Sequence, residues 1–117
     1  MASNYPGGRE MRRYERHSFF CAVELTDFSG GSTYAGRSLD ISLGGVGVVT
    51  NANFEVGALV HLAFLLKDAR GADARELVDG RVARLNADVD ANLLGIQFLS
   101  PLDDTHQPLL VGKILKL

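Results

Sequence analysis

Thr33-Tyr34-Ala35-Gly36-Arg37-Ser38-Leu39-Asp40-Ile41-Ser42-Leu43-Gly44-Gly45-Val46-Gly47-Val48-Val49-Thr50 reads as two strands joined by a glycine turn. Leu39, Ile41 and Leu43 alternate with Ser38, Asp40 and Ser42. A strand sends successive side chains to opposite faces. The apolar set is therefore expected to face a core, and Asp40 and Ser42 to face outward. Gly44-Gly45 turns the chain, and Val46 to Thr50 continues as the next strand.

The same grammar extends in both directions. Short apolar runs end in turn residues after roughly eight to twelve positions, the pattern of a small antiparallel sandwich or barrel. Upstream, Phe19 to Leu25 is the first strand and Asp27-Phe28-Ser29-Gly30-Gly31 a turn. The second strand is Thr33 to about Ile41 and the third Val46 to Thr50. Downstream of the loop Asn51 to Gly57, Ala58 to Leu66 reads as a strand, although its periodicity also admits a helix. After a charged loop from Lys67 to Arg75, Glu76 to Leu85 is a long strand. Asn86 to Asn92 is a turn, and Leu93 to Leu99 is the sixth and last strand.

The ends differ from this middle. Met1 to His17 is a polar arm opening with Ser3-Asn4-Tyr5-Pro6-Gly7-Gly8, which has little apolar surface to order it. Residues 1–11 are assigned to a flexible arm and 12–117 to the folded domain. Asp103 to Leu117 is the helix candidate, with Leu109, Leu110, Ile114, Leu115 and Leu117 as its apolar face. Proline is tolerated only in a helix's first turn, so Pro108 requires a start near Asp104 or Thr105 as the cap.

The chain of 117 residues carries 12 basic and 14 acidic side chains, a formal charge of −2. That length is one domain, and it buries about two thirds of its unfolded surface without needing metals or crosslinks. The charge balance argues against a bulk polycation for nucleic acid or anionic lipid. Cys21 is the only cysteine, which excludes an internal disulfide and a cysteine zinc site. The longest apolar stretch, Ala58 to Leu66, is interrupted by His61 and too short to span a bilayer. No apolar signal core opens the chain, and a reducing cytoplasm is the expected compartment.

Catalytic patterns are not met. Asp40-Ile41-Ser42-Leu43-Gly44 lacks the first glycine of a nucleophile elbow. Gly45-Val46-Gly47 is followed by Val48-Val49-Thr50, which fails G-x-G-x-x-G at its last position. Asp88-Val89-Asp90-Ala91-Asn92 starts like a calcium loop, but Leu93 replaces its glycine and Leu99 its bidentate glutamate. His17, His61 and His106 are far apart in sequence, with His61 read as a partly buried strand residue and Cys21 as a small core filler. The chain reads as a non-enzyme with no metal and no cofactor.

Two motifs carry a signal. Arg9, Arg12, Arg13 and Arg16 form a local arginine cluster in a chain of negative net charge. The planar guanidinium forks onto phosphate oxygens and onto the O6/N7 edge of guanine, and it stacks on bases. A solubilising tail paired with Glu10 and Glu15 explains the cluster equally well. The second motif, Asp40 to Gly45, fits D-x-S-x-x-G. It also fits an ordinary hairpin, where Asp, Ser and Gly are common. At roughly 5–7% usage per residue type, chance yields this pattern in about 3% of chains of this length, and R-x-x-x-R in roughly one in four. The hairpin motif is thus the more informative.

Together and in this order, Arg12-Arg13-Tyr14-Glu15-Arg16 before the first strand and Asp40 to Gly45 after the second resemble the PilZ domain family. The resemblance runs from about Met11 to the C-terminal helix. It includes Gly47 and Leu94-Gly95-Ile96-Gln97-Phe98, which is similar to the family's final strand. Arg9 to Arg13 also satisfies R-x-x-x-R, but Arg12 and Arg16 match the family's spacing to the first strand. The resemblance implies an all-β fold with a C-terminal helix, a six-stranded antiparallel β-barrel, and a receptor for the second messenger cyclic di-GMP.

It also implies residue roles. Arg12 and Arg16 would grip guanine and phosphate, and Arg13 would add stacking or phosphate contact. Asp40 and Ser42 would hold a guanine from the barrel face, with Gly45 giving clearance. Binding would wrap the arm onto the barrel and present a changed surface to an effector protein, whether a flagellar motor, pilus, polysaccharide synthase or regulator. Met11 before the first motif arginine points to one ligand per chain. The runner-up is a PilZ-like adaptor in pilus or motility assembly that does not bind the nucleotide; such members usually lack one of the two motifs. A barrel for RNA or single-stranded DNA would need aromatic stacking platforms, and the chain has no Trp and 3 Tyr. Neither DNA nor RNA partners nor membrane insertion is expected.

Overall fold

Turn glycines and apolar alternation divide the chain into seven strands. β1 is His17–Ser18, β2 Ala22–Asp27, β3 Thr33–Ile41, β4 Gly45–Thr50, β5 Leu59–Lys67, β6 Asp73–Ala87 and β7 Asn92–Phe98; a helix, α1, spans Pro108–Lys116. The computed structural model describes residues 14–116. All pairings are antiparallel. Six strands run in the order β3-β2-β5-β6-β7-β4, and β4 pairs back onto β3 to close a barrel. Closure removes the unpaired edges that an open sheet of this size would expose. Gly31 and Gly71 turn at positive φ, 77° and 83°, a region other residues rarely adopt.

The second to sixth expected strands are present within a few residues of their expected limits. The expected first strand, Phe19 to Leu25, is instead split. β1 pairs with the end of β3, His17 opposite Ile41 and Ser18 opposite Asp40, while β2 pairs with its beginning. Between them Ser38 Oγ donates to the Phe19 carbonyl at 2.6 Å, and Phe19 N–H donates to the Leu39 carbonyl at 2.9 Å. The chain crosses this point through hydrogen bonds to a kink in β3 rather than through a regular ladder.

That kink overturns the expected alternation. β3 and β4 shift register between Ser38 and Asp40, so Leu39 has no partner opposite it. An extra residue in one strand inverts the faces beyond it. Ser38 is accordingly buried with Ile41, while Leu39 is 36% exposed. Ser42, expected to face outward, is 1% exposed, because β3 ends at Ile41 and the next residue belongs to the turn.

The barrel is filled by Val23, Leu25, Ile41, Val46, Val48, Leu62, Phe64, Val82, Leu94 and Ile96, all essentially inaccessible. Each such side chain contributes about 1.5–3 kcal/mol relative to exposure. Leu110, Val111 and Ile114 of α1 join the same cluster. Cys21 is buried there as expected. Burial pushes its thiol above the ordinary value, and its Sγ lies 3.3 Å from the Leu65 carbonyl. His61 is not partly buried. It stacks on Phe28 at the surface and pairs with Asp79 at 2.7 Å.

The helix is shorter than expected and is capped differently. Neither Asp104 nor Thr105 is its cap. Asp103 takes the N–H groups of Thr105 and His106 at 2.9 and 2.8 Å in a separate turn. Pro108, which has no N–H to satisfy, is the first helical residue. The helix's open N–H groups are met from β6, where Glu76 accepts from Leu109 at 2.7 Å and Leu110 at 2.8 Å. Gln107 ties the same end to the Leu77 carbonyl at 3.0 Å. Leu115, expected on the buried face, is 76% exposed, its place taken by Val111. Leu117 lies outside the described residues.

Candidate functional site

Asp40 stands just past the β3 bulge on the outer face. Its Oδ1 accepts the Gly47 N–H at 3.0 Å and Arg16 Nη2 at 3.3 Å. A Cβ at Gly47 would lie 2.7 Å from that same oxygen, so only glycine lets the carboxylate fold onto the strand. The Arg16–Asp40 pair is partly exposed, and pairs open to solvent contribute about 0–1 kcal/mol to stability. Its consequence is position: a guanidinium from β1's leading edge is held beside the hairpin.

The turn itself is built by Ser42 and two glycines. Ser42 N–H donates to the Gly45 carbonyl at 2.9 Å, and Ser42 Oγ accepts the Gly44 N–H at 3.2 Å. Gly45 faces β7, where a Cβ would meet the Ile96 carbonyl oxygen at 2.6 Å. Gly44 faces Tyr14, whose ring carbon Cδ2 would sit 2.7 Å from an added Cβ. The hairpin backbone thus packs against the entering chain on one side and the last strand on the other.

Arg16 divides two clefts. One, of 170 Å³, lies among Tyr14, Arg16, Ser42, Gly44, Gln97 and Phe98. The other, of 120 Å³, lies among Arg16, Leu39, Asp40, Gly47, Arg84 and Gly95. Of the residues singled out in the sequence, Arg16, Asp40, Ser42 and Gly45 are therefore collected around one hairpin. Arg12 and Arg13, like Arg9 and Met11, lie outside the described residues. Sequence reading missed Tyr14 and Arg84. Tyr14 had a signal, an aromatic within the arginine cluster; Arg84, one charge in a long strand, had none. His61 and His106 line one shallow surface cleft with Glu76 and Asp79, which His17 does not join, and among the described residues no cluster of three His, Cys, Asp or Glu could hold a metal ion.

A closed six-stranded antiparallel barrel followed by one helix, with charged side chains gathered outside the barrel at a glycine hairpin, defines a class of small β-barrel domain. A family model described as the PilZ domain matches residues 10–115, and the chain belongs to that family. No curated protein matches the sequence. Among solved structures it is similar to the Bacillus subtilis inhibitor of motility, MotI/DgrA, at 20% identity and a TM-score of 0.70, over 90% of this chain and 50% of that one. It is also similar to the PilZ domain of Escherichia coli YcgR with c-di-GMP, at 21% identity and 0.66, over 91% and 90%. A third is the K. pneumonia MrkH–c-di-GMP complex, at 20% and 0.64, over 90% and 52%. The chain thus spans about half the length of MotI and MrkH. At these identities the likeness is one of fold. No helix among the described residues is long and apolar enough to cross a membrane.

Proposed function

We propose that this chain is a cyclic di-GMP receptor that acts without catalysis. The observation that carries the reading is the Arg16–Asp40 pair at the wall between two clefts. A guanidinium and a carboxylate side by side match the two kinds of group in the ligand. Guanine offers N–H donors to a carboxylate and O6/N7 acceptors to arginine, and the phosphates take charge-assisted hydrogen bonds from arginine. Membership of the PilZ family and the two c-di-GMP complexes of the same fold support it.

Arg12, Arg13 and Arg16 are assigned to phosphate and guanine, and Asp40 to a guanine edge. Ser42 and Gly45 shape the hairpin beneath the ligand. The arm assigned from the sequence, residues 1–11, wraps onto the barrel when ligand binds, and the altered surface engages an effector protein. Backbone hydrogen exchange over the arm, residues 1–11, is then expected to slow on saturation; exchange that stays the same removes the ordering step.

The reading is tested by titration calorimetry of cyclic di-GMP into the wild type and Arg16→Ala, with GTP as control. The wild type is expected to bind at micromolar concentration or tighter, and Arg16→Ala at least about thirtyfold more weakly, the loss of one charge-assisted bidentate contact. The same isotherm yields the ligand stoichiometry, expected to be one. A wild type that gives no heat and no binding leaves the adaptor reading, in which the barrel docks a protein without nucleotide.

A further inference from the structure

Three turns meet at one end of the barrel. They are 28–32 between β2 and β3, 51–58 between β4 and β5, and 88–91 between β6 and β7. Phe28 N–H donates to the Leu59 carbonyl at 3.2 Å. Asn92 Nδ2 donates to the Ala52 carbonyl at 2.8 Å, and the Tyr34 ring meets Phe54 edge-on at 5.8 Å. β3 starts at this end and Asp40 stands near its finish, so the Asp40–Gly45 hairpin lies at the other end.

Apolar side chains stand in solvent here. Val56 is 61% exposed and Val89 95%, and Phe28 and Tyr34 are exposed as well. Valine favours strands rather than turns, and Val89 covers no core, so neither turn chemistry nor packing accounts for it. Phe28, Phe54, Val56, Ala58 and Leu59 line a cleft of 600 Å³ between the first two turns. The charges around it have one sign. Residues 27–35, 51–60 and 86–93 carry Asp27, Glu55, Asp88 and Asp90, with no Lys, Arg or His. None of the four has an ion-pair partner among the described residues. His61, stacked on Phe28, is itself paired with Asp79. On the neighbouring sheet face charges pair off, Arg75 with Glu24 and Lys67 with Asp73.

We infer that this end of the barrel docks a basic amphipathic segment of a partner protein, one that presents apolar side chains between Lys or Arg. The apolar cleft supplies the burial, and the four carboxylates select the sign of the partner. The same carboxylates repel an anionic membrane surface and a nucleic acid. A second copy docked end to end would bring like charges together, which disfavours a two-fold dimer through these turns. Contact with three turns is small in area, so the complex is transient. The inference goes beyond the receptor reading. Because the surface lies away from the hairpin, docking proceeds with or without nucleotide.

Titration of a synthetic amphipathic leucine–lysine peptide, followed by backbone amide shifts, tests the inference. The wild type is expected to bind with a Kd of about 100 μM or tighter, with shifts centred on residues 27–32, 53–58 and 88–91. Val56→Ser combined with Val89→Ser is expected to weaken binding about tenfold, and Glu55→Lys combined with Asp90→Lys at least about tenfold. Leu115→Ser, on the exposed side of α1, is expected to bind as the wild type does. All these positions are exposed, so each variant's melting curve is expected to overlay the wild type's. No binding by the wild type overturns the inference, as do shifts centred elsewhere on the barrel. A serine–lysine peptide binding equally well, or the double valine variant within about twofold of the wild type, reduces the surface to bare charge and overturns it too. So does self-association of the chain through these turns, which puts a second copy there. Arg16→Ala is expected to bind the peptide unchanged, so a failure to bind cyclic di-GMP removes the receptor reading and leaves this inference standing.

Discussion

Glu76→Leu is expected to lower the melting temperature by roughly 10–20 °C. Glu76 is a buried carboxylate whose two oxygens accept the N–H groups of Leu109 and Leu110, the first donors of α1. A helix start leaves such groups without intrahelical partners. Leucine fills the volume but accepts nothing, and each stranded buried N–H costs about 1–3 kcal/mol. The carboxylate also opposes the positive end of the helix dipole, which adds about 0.3–1 kcal/mol. Extra apolar burial by leucine offsets part of the loss, leaving about 2–4 kcal/mol, at about 4–8 °C per kcal/mol for a small domain. Glu76→Gln retains one carbonyl acceptor and is expected to fall between. Thermal melts followed by circular dichroism decide it. If Glu76→Leu melts within about 3 °C of the wild type, less than 1 kcal/mol has been lost and the helix is held by packing alone.

Asp40→Asn separates binding from folding. The amide oxygen still accepts the Gly47 N–H, and the Arg16 pair that is lost is partly exposed, so stability is expected to change by about 1 kcal/mol or less. Cyclic di-GMP affinity, in contrast, is expected to fall about a hundredfold. In place of the second carboxylate oxygen the variant presents an N–H donor to the donors of a guanine edge. Losing hydrogen bonds to a charged group costs about 1.5–3 kcal/mol each, and about 2.7 kcal/mol is a factor of a hundred. Paired melting and titration measurements read the two effects apart. A fivefold loss or less would place the guanine elsewhere on the barrel; a large loss of stability would make Asp40 a structural residue first.

Local pattern went furthest where the chain is regular. The existence and limits of β3 to β7 follow from short apolar runs bounded by glycine, asparagine and aspartate, and Cys21 as core filler needed only its size and apolar character. The site's hairpin was legible for the same reason, since Asp40, Ser42 and Gly45 lie within six consecutive positions. Misreadings occurred where a residue answers to a distant partner. His61 is turned to the surface, where Phe28 and Asp79 meet it. Alternation along β3 points Ser42 outward, but the strand ends at Ile41 and Ser42 turns inward in the hairpin. Local capping rules point to Asp104 or Thr105 for α1, whereas the acceptors come from Glu76, more than thirty residues upstream.

An all-β barrel with a terminal helix, an arginine-bearing lead into it and a D-x-S-x-x-G hairpin are legible along the chain, because strand periodicity, turn chemistry and short motifs are written within a few residues of each other. That Arg16 meets Asp40, that Glu76 closes the helix, and that Gly47 and Gly95 lie side by side between Asp40 and Arg84 emerges from the folded barrel alone. Those relations depend on strand order and on two bulges, and a bulge arises from the balance of packing on both faces of a closed sheet, which no single strand encodes.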